Sequence, residues 1–311
     1  MSGNYGYENR NLIQGLKINH VKPQVLSYIN ERGLINFNLD PNRALKNKLI
    51  PYFNIQQISE DYLVCNDAWD EIRGLPTMFS LWFSSLMAIG IIILLIGFPG
   101  FLSESGFSLI SLIGIIFLLG GIFFFFKIFT ISFGRELFGY THYPLIFNRK
   151  KQELHYFEPF KKKWISAPWS DYHLSININE NHEYAVNASL VDQNEIIQQV
   201  VVFPFRFRSL SLVEGHWEFF RRYMAGEDLE KLKSQIHYFA PNVIDRKETA
   251  SETWSRLKLL RFSERDYLTD EVKLPSNFNL NLILFGTPQF LVRRLCVMTS
   301  KTPIVPEEWI N

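Results

Sequence analysis

The sequence predicts an α+β membrane protein in which a transmembrane hairpin of two helices is followed by an antiparallel β-roll capped by helices. Two observations predict this fold class. Residues 74–126 carry a single charged side chain, Glu104, whereas the other 258 residues carry 62 of the 63 charges. After residue 140, short β-branched and aromatic runs alternate with polar turns and then give way to helical periodicity. The predicted regions are 1–74, 75–127, 140–226 and 227–311.

Composition and charge limit the classes to which the chain can belong. Of its 311 residues 47% are hydrophobic, and 32 basic and 31 acidic side chains leave a net charge of +1. The uneven distribution of these charges excludes a disordered chain and an ordinary single soluble domain. The near-zero net charge argues against nucleic acid as a partner. Cys65 and Cys296 are far apart in the sequence and predict free thiols rather than a disulfide framework.

The uncharged region divides into two predicted spans, residues 77–98 and 106–127. Each is long enough to cross a hydrocarbon core of roughly 30 Å, which takes about 20 helical residues. Proline and glycine residues between the spans predict a tight turn and hence an antiparallel hairpin. Basic residues flank the outer ends of the hairpin, so the positive-inside rule places both termini in the cytoplasm.

The interior of neither span contains Asp, Glu, Lys, Arg or His. Transport pathways and proton relays through membranes depend on such ionisable groups. We therefore expect the hairpin to anchor the protein in the lipid bilayer, and we expect the flanking regions to carry its function.

The N-terminal region, residues 1–74, is polar and rich in asparagine. Apolar residues at positions 55, 58, 62, 65 and 69 predict a short helix just before the hairpin. Five carboxylates lie on the polar side of this helix, but they lack the oxygen spacing and the turn-forming glycine of a calcium loop. We expect them to form a solvated helix face.

Residues 140–226 are predicted to form an antiparallel sheet closed by a helix. A capping-box pattern at Ser211 and Glu214 opens the helix, and Gly226 ends it. Strands joined by hairpins and closed by one helix are the layout of a PH-like roll. The strands are expected at residues 143–148, 153–160, 164–169, 172–179, 184–191 and 196–205. The apolar stripe of the helix consists of Val213, Trp217, Phe220 and Met224.

The C-terminal region, residues 227–311, is predicted to be a helical extension. Pro288 after Thr287 is typical of the start of a helix, here expected to pack on the roll. Residues 278–285 are predicted to form a strand or a helix, and residues 303–309 an extended arm. The expected helices cover residues 227–239, 248–262 and 289–299.

Motifs for catalysis are absent from the sequence. It contains no phosphate-binding, zinc-protease, serine-hydrolase or kinase signature. His142 and His155 fall on strand ends where they could approach each other, but two histidines without a third ligand are weak evidence for a metal. We therefore expect neither a catalytic residue nor a metal or cofactor.

Basic turns on two neighbouring hairpins are the strongest candidates for a membrane-surface or partner contact. Beside a bilayer, each Lys or Arg would gain about 1 kcal/mol from anionic lipid. A solvated turn is the alternative interpretation. Trp164 and Trp169, which follow the second turn, are expected to pack in the core or at an edge. The six candidates are Arg149, Lys150, Lys151, Lys161, Lys162 and Lys163.

Four motifs follow one another along residues 60–224. They are EDYL with a downstream Trp and IRG, YPLIFNRKKQELHYF, the Pro-Trp pair at 168–169, and WEFFRRYM at 217–224. With the uncharged hairpin between the first two, this order resembles bacterial two-span inner-membrane proteins of unknown function that are encoded near type VI secretion (Rhs-type) effector genes. The resemblance implies an immunity-like role and an inner-membrane location, and it assigns no binding residue.

The leading hypothesis is a non-enzymatic, membrane-anchored immunity protein. It would bind and neutralise a cognate type VI secretion toxin through its cytoplasmic domains. The alternative is a membrane-tethered scaffold or regulator whose PH-like domain binds lipid or protein. An enzyme with dispersed catalytic residues is a third class, which a pocket of converging polar groups would favour.

Overall fold

The computed structural model describes residues 24–25, 35–67, 69–105, 116, 119–124, 126–127, 130, 136–158, 163–178, 182–194, 196–260 and 286–309. Over these residues the chain is an α+β fold of two five-stranded antiparallel sheets with helices around them. The strands are β1 (Gln24–Val25), β2 (Ile35–Asn38), β3 (Ile55–Ile58), β4 (Tyr62–Asn66), β5 (Pro144–Asn148), β6 (Glu153–Glu158), β7 (Lys163–Pro168), β8 (Tyr172–Ile178), β9 (Tyr184–Val191) and β10 (Ile196–Phe207). The helices are α1 (Trp69–Ile72), α2 (Leu75–Ser105), α3 (Leu210–Met224), α4 (Leu229–Lys233), α5 (Ala250–Leu259) and α6 (Thr287–Thr299).

Strands from the N-terminal region contribute to both sheets. In the first sheet, of order β1-β10-β9-β8-β2, strands β8 to β10 form an antiparallel meander, and β1 and β2 pair with its outer members. The second sheet, of order β3-β4-β5-β6-β7, joins the hairpin of β3 and β4 to the meander of β5 to β7. The N-terminal region is therefore part of the β-fold, and the predicted PH-like roll formed by residues 140–226 alone is wrong. Strands β5 to β10 confirm the six strands predicted from the sequence, within three residues at each end.

Strands β4 and β5 are neighbours in the second sheet although residues 67–143 separate them in the chain. Tyr62 pairs with Asn148 at one end of the two strands, and Asn66 pairs with Pro144 at the other. Residues 67–143, which include α1 and α2, therefore form an excursion that leaves the sheet and returns to it at the same point.

Helix α3 packs its apolar stripe into a core that both sheets share. Its Trp217 and Phe220 are buried, as the sequence predicts. Trp217 stacks on Trp169 with 5.9 Å between ring centroids, and Phe220 lies 4.5 Å from Phe147 of β5. Aromatic contacts of this kind add to the stabilisation from buried apolar area.

Gly215 sets how closely α3 approaches the segment that precedes β3. A Cβ atom at this position would lie 2.2 Å from the carbonyl oxygen of Lys48 and 2.8 Å from Cγ1 of Ile50. The Ile50 amide donates a hydrogen bond of 3.2 Å to the Gly215 carbonyl, and the Ile50 carbonyl lies 2.9 Å from Nδ1 of His216. Close backbone approach therefore requires glycine here.

The predicted transmembrane hairpin is wrong, and so are the membrane fold class and the multi-pass inner-membrane location with both termini in the cytoplasm. Among the residues that the structure describes, no helix combines the length and the apolar composition needed to cross a membrane. Helix α2 starts inside the protein with buried Thr77 and Ser80 and continues through the predicted turn to Ser105. Most of the second predicted span, 106–127, lies outside the described residues.

The helix predicted over residues 55–69 is also wrong, because these residues form mainly the hairpin of β3 and β4. Oγ of Ser59 donates to the Tyr62 carbonyl (2.9 Å) and accepts from the Tyr62 amide (3.1 Å), which closes the turn. The consecutive residues Leu63 and Val64 are fully buried because the two faces of β4 contact different clusters. A strand buried on both faces lacks the alternation that would have revealed it.

Within the described residues the C-terminal region forms helices α4, α5 and α6, and the helix predicted over residues 227–239 is limited to Leu229–Lys233. Glu307–Trp309 form a 3-10 turn at the end of the segment predicted to be extended. Helix α5 begins with a capping box in which Thr249 and Glu252 each accept a hydrogen bond from the amide of the other. Pro288 lies in the first turn of α6, as predicted. Residues 278–285, predicted to form a strand or a helix, lie outside the described residues.

Candidate functional site

A network of buried charges joins α1 to α6 and to the start and body of α5. The Asp70 carboxylate accepts hydrogen bonds from Nε of Arg256 (2.9 Å) and from Nη2 of Arg293 (2.6 Å). Nη2 of Arg293 also lies 2.6 Å from the Glu248 carboxylate. Asp70, Arg256 and Arg293 are at most 1% exposed, and Glu248 is 7% exposed. Because an unpaired buried charge is costly, each member depends on the others.

A further buried carboxylate, Glu136, binds the start of α2. Its two oxygens accept hydrogen bonds from the amides of Gly74 (2.7 Å) and Thr77 (2.8 Å). A carboxylate is favourable at this position because the first amides of a helix lack partners within the helix. Oγ of Ser300, just after α6, donates to the Glu136 carbonyl at 2.9 Å. Glu136 therefore connects the two ends of the excursion to α6.

The carboxyl groups of Asp70 and Glu71 differ in their titration. Burial raises the pKa of Asp70, but the charges of Arg293 and Arg256 outweigh it and hold the pKa well below its usual range. Burial raises the pKa of Glu71 to about 7, and the charge of Arg256 opposes only part of this effect. The Tyr52 hydroxyl donates to the Glu71 carboxylate. A carboxyl group that titrates near neutrality occurs in functional sites and also in structural networks.

The geometry of the network favours a structural role. The carboxylates of Asp70 and Glu248 both form ion pairs with the Arg293 guanidinium, and these pairs connect elements that are distant in sequence. Among the residues described, no group of three His, Cys, Asp or Glu side chains is placed to hold a metal ion. The network holds the base of the excursion against the C-terminal helices.

Sequence reasoning missed this network because its members are widely separated in the chain. Asp70 and Arg293 are 223 positions apart, and no local pattern connects them. One signal was present. Arg293 lies three and four residues before the buried Cys296 and Val297, on the same face of α6. A charge on a buried helix face predicts a buried partner.

The structure does not pair the two histidines that the sequence placed on strand ends. His155 of β6 lies opposite Ile146 on one side and Ser166 on the other. Nδ1 of His142 contacts Oγ1 of Thr141 at 2.9 Å. Burial lowers the pKa of His142 to about 3 and that of His155 to about 4. Both rings are therefore neutral at physiological pH.

The structure separates the six candidate basic residues. Arg149 is half-buried, donates through Nη2 to the Glu227 carbonyl (3.1 Å), and holds its guanidinium 5.7 Å from the centre of the Tyr223 ring. Arg149 thus attaches the basic turn to the end of α3. The exposed members are Lys150, Lys151 and Lys163, and Lys161 and Lys162 lie outside the described residues.

Residues 303–309, which we call the arm, lie across the outer face of the second sheet. Nε1 of Trp164 donates a hydrogen bond of 2.7 Å to the carbonyl of Ile304. Nζ of Lys151 donates one of 3.2 Å to the carbonyl of Glu308. Lys151, one of the candidate basic residues, thus binds the main chain of the arm.

Aromatic contacts hold the end of the arm. The Trp309 ring stacks on His155 with 4.2 Å between centroids and 6° between planes, and it meets Trp164 edge-on at 5.0 Å. The apolar side chains Val64 and Ile146 lie beneath this cluster and are fully buried. Trp169, the other tryptophan of the predicted pair, lies on the opposite side of the sheet in the main core.

Comparison with known protein families, with curated proteins and with solved structures finds no match for this chain. A functional proposal therefore rests on the residues of the chain and their arrangement.

Proposed function

We propose that this chain is an immunity-type protein that binds a cognate type VI secretion toxin and neutralises it by contact. The sequence motifs that resemble proteins encoded near such toxin genes are the starting point. The observation that carries the proposal is that these motifs, spread over residues 60–224, meet in one packed unit.

Three contacts connect the motifs. The Asp61 carbonyl in the first motif accepts a hydrogen bond of 2.7 Å from the Arg149 amide in the second. The third and fourth motifs meet where Trp169 stacks on Trp217, and the second meets the fourth through the Phe147 and Phe220 rings described above. The four motifs thus belong to one packed unit, which supports the interpretation that the resemblance reflects a shared structural framework.

Exposed apolar side chains support a role in binding. Contiguous apolar surface on a protein marks an interaction site. Such side chains follow α2 at helical spacing and include Phe79 (51% exposed), Trp82 (60%), Phe83 (52%), Leu86 (50%) and Ile89 (54%). The buried charges, in contrast, lie between elements of the fold, where they serve its stability.

Protection of cells tests this proposal. The toxin encoded beside the gene for this chain is produced in a susceptible cell with or without the chain. We expect growth only when the chain is present, and we expect the two proteins to purify as a complex. An unrelated toxin serves as the control and should kill in both cases. Cell death in the presence of the folded chain, or the absence of a complex, would contradict the proposal.

A further inference from the structure

We propose that the outer face of the second sheet is a docking site for a short peptide segment of a partner protein, and that the arm occupies it in this structure. The segment would carry an aromatic side chain preceded by acidic residues, as the arm does in Pro-Glu-Glu-Trp at 306–309. This inference rests on the proposed function only in taking a protein as the partner. Its test uses a peptide, so that the two can fail separately.

The face recognises main-chain carbonyl groups rather than particular side chains along most of its length. The Trp164 indole and the Lys151 ammonium each donate to a carbonyl oxygen of the arm, at residues 304 and 308. Residues 302–306 have no regular secondary structure, Glu307–Trp309 form a single 3-10 turn, and Val305 packs against the cluster of Val64 and Ile146. The two donors therefore fix the direction and register of an occupant that adopts the same turn.

One aromatic position supplies the selectivity. Trp309 is half-buried between the ring of His155 and the edge of Trp164. Large aromatic side chains that fill such a position contribute most of the binding energy in protein interfaces. An occupant without an aromatic side chain at this position would leave His155 and the apolar residues beneath it uncovered.

Charge complementarity favours acidic residues just before the aromatic side chain. Glu307 and Glu308 are exposed and sit where the carbonyl of residue 308 meets the ammonium of Lys151. Lys150, next to it, is also exposed. A basic segment in place of the arm would bring like charges together and would dock less well.

The arm can leave without disrupting the sheet. Residues 302–306 have no strand pairing, and the amide of Trp309 donates to the Pro306 carbonyl within the arm itself, at 3.1 Å. The segment before the arm is fixed independently, since Lys301 bridges Tyr140 and Ser300 binds Glu136. Exchange of the arm for another segment therefore breaks its ring and apolar contacts and the two hydrogen bonds from Trp164 and Lys151, but no strand pairing of residues 302–306.

The test measures binding of a fluorescent peptide, TPIVPEEW, to two forms of the full chain. In one form residues 303–309 are replaced by Gly and Ser, and the other is unchanged. We expect saturable binding to the replaced form, and at least about tenfold weaker binding to the unchanged form, because a tethered arm competes at millimolar effective concentration. The peptide TPIVPEEA should bind the replaced form about tenfold more weakly or worse. The peptide TPIVPKKW should also bind more weakly.

Trp164→Phe in the replaced form removes the indole donor and retains an aromatic ring, and it should weaken binding severalfold. Trp254→Phe, a half-buried tryptophan of α5 that packs on Phe290, is the matched control and should leave binding unchanged. The pKa of His155, followed by NMR, gives a second measurement. It should rise from about 4 towards its ordinary value when the arm is replaced, and it should fall again when peptide is added.

Two results would overturn the proposal. One is a folded replaced form that does not bind TPIVPEEW. The other is equal binding of TPIVPEEW and TPIVPEEA. If replacement of the arm prevents folding, Trp309→Ala in the full chain takes its place, since it opens the aromatic position and retains the rest of the arm. Failure of this variant to bind the peptide more tightly than the unchanged chain would equally overturn the proposal.

Discussion

The Asp70 carboxylate receives guanidinium groups from α5 and α6 in the interior of the protein. Asp70→Asn keeps the size of the side chain but removes its charge, so that Arg256 and Arg293 lose the negative charge they share. We expect the free energy of unfolding to fall by about 3–5 kcal/mol, as is usual when one partner of a buried ion pair is lost. Urea unfolding followed by circular dichroism measures this change.

Glu230→Gln is the control for Asp70→Asn. It removes an ion pair of similar length, 3.1 Å to Lys233, but the Glu230 side chain is 81% exposed. Exposed pairs contribute little, so this variant should unfold at nearly the same urea concentration as the unchanged chain. A similar effect of the two substitutions would show that Arg293 and Glu248 do not depend on Asp70.

His216 makes stability depend on pH. Burial lowers the pKa of this ring to about 3, against an ordinary value of 6.5 in the unfolded chain. Below pH 6.5 the unfolded state takes up a proton that the folded state refuses, so stability is lost as the pH falls from 6.5 towards 3. In the His216→Gln variant, the free energy of unfolding should depend less steeply on pH over this interval.

The exposed His237 gives the control for this pH dependence. His237→Gln should leave the slope as it is in the unchanged chain. If His216→Gln also leaves the slope unchanged, protonation of His216 does not limit stability in acid. His142, whose pKa burial also lowers to about 3, would then be the next ring to replace.

At the scale of elements, α3 approaches the segment before β3 closely at Gly215. Gly215→Ala improves helix propensity by up to about 1 kcal/mol but places Cβ against the Lys48 carbonyl, where backbone must move. We expect a net loss of about 1–3 kcal/mol in the free energy of unfolding, typical of overpacking. Gly90→Ala in α2 is the matched control, because no atom lies within 4 Å of its added Cβ. Equal effects of the two would contradict the close approach.

Local pattern was sufficient for some elements and insufficient for others. Strands β5 to β10 alternate or are separated by polar turns, and α3 has a stripe at helical spacing, so their positions follow from the sequence. Strand β4 is buried on both faces and pairs with β5 across the whole excursion, which no local window records. The charges around Asp70 were missed for the same reason. The arm was predicted to be extended, whereas Glu307–Trp309 form a 3-10 turn, and its contact with Trp164 and His155 depends on tertiary structure.

At the scale of the whole molecule, the excursion begins and ends at one place. Glu136 and Thr77 are in direct contact, so the chain between them can be replaced by a short linker. We expect that a chain in which a six-residue Gly/Ser linker replaces residues 79–134 keeps its β-sheet signal in circular dichroism and unfolds cooperatively, with less helical signal.

A shorter deletion gives the contrast to this variant. Replacing residues 69–78 by the same linker removes Asp70 and the partners of Glu136, and it should prevent cooperative unfolding although fewer residues are lost. If the larger replacement also fails to unfold cooperatively, the sheets depend on the excursion for their stability.

The point of return also determines how the molecule would respond to mechanical load. Asn66 and Pro144 face each other, so a pull that separates the two ends of the excursion acts on the β4–β5 ladder one rung at a time. Ladders loaded in this way unzip at low force, whereas shear loads all hydrogen bonds together. Asp70 and Glu136 connect both ends of the excursion to α6 and its flank, ahead of that first rung. The contacts of these two carboxylates must break before the sheet is pulled open.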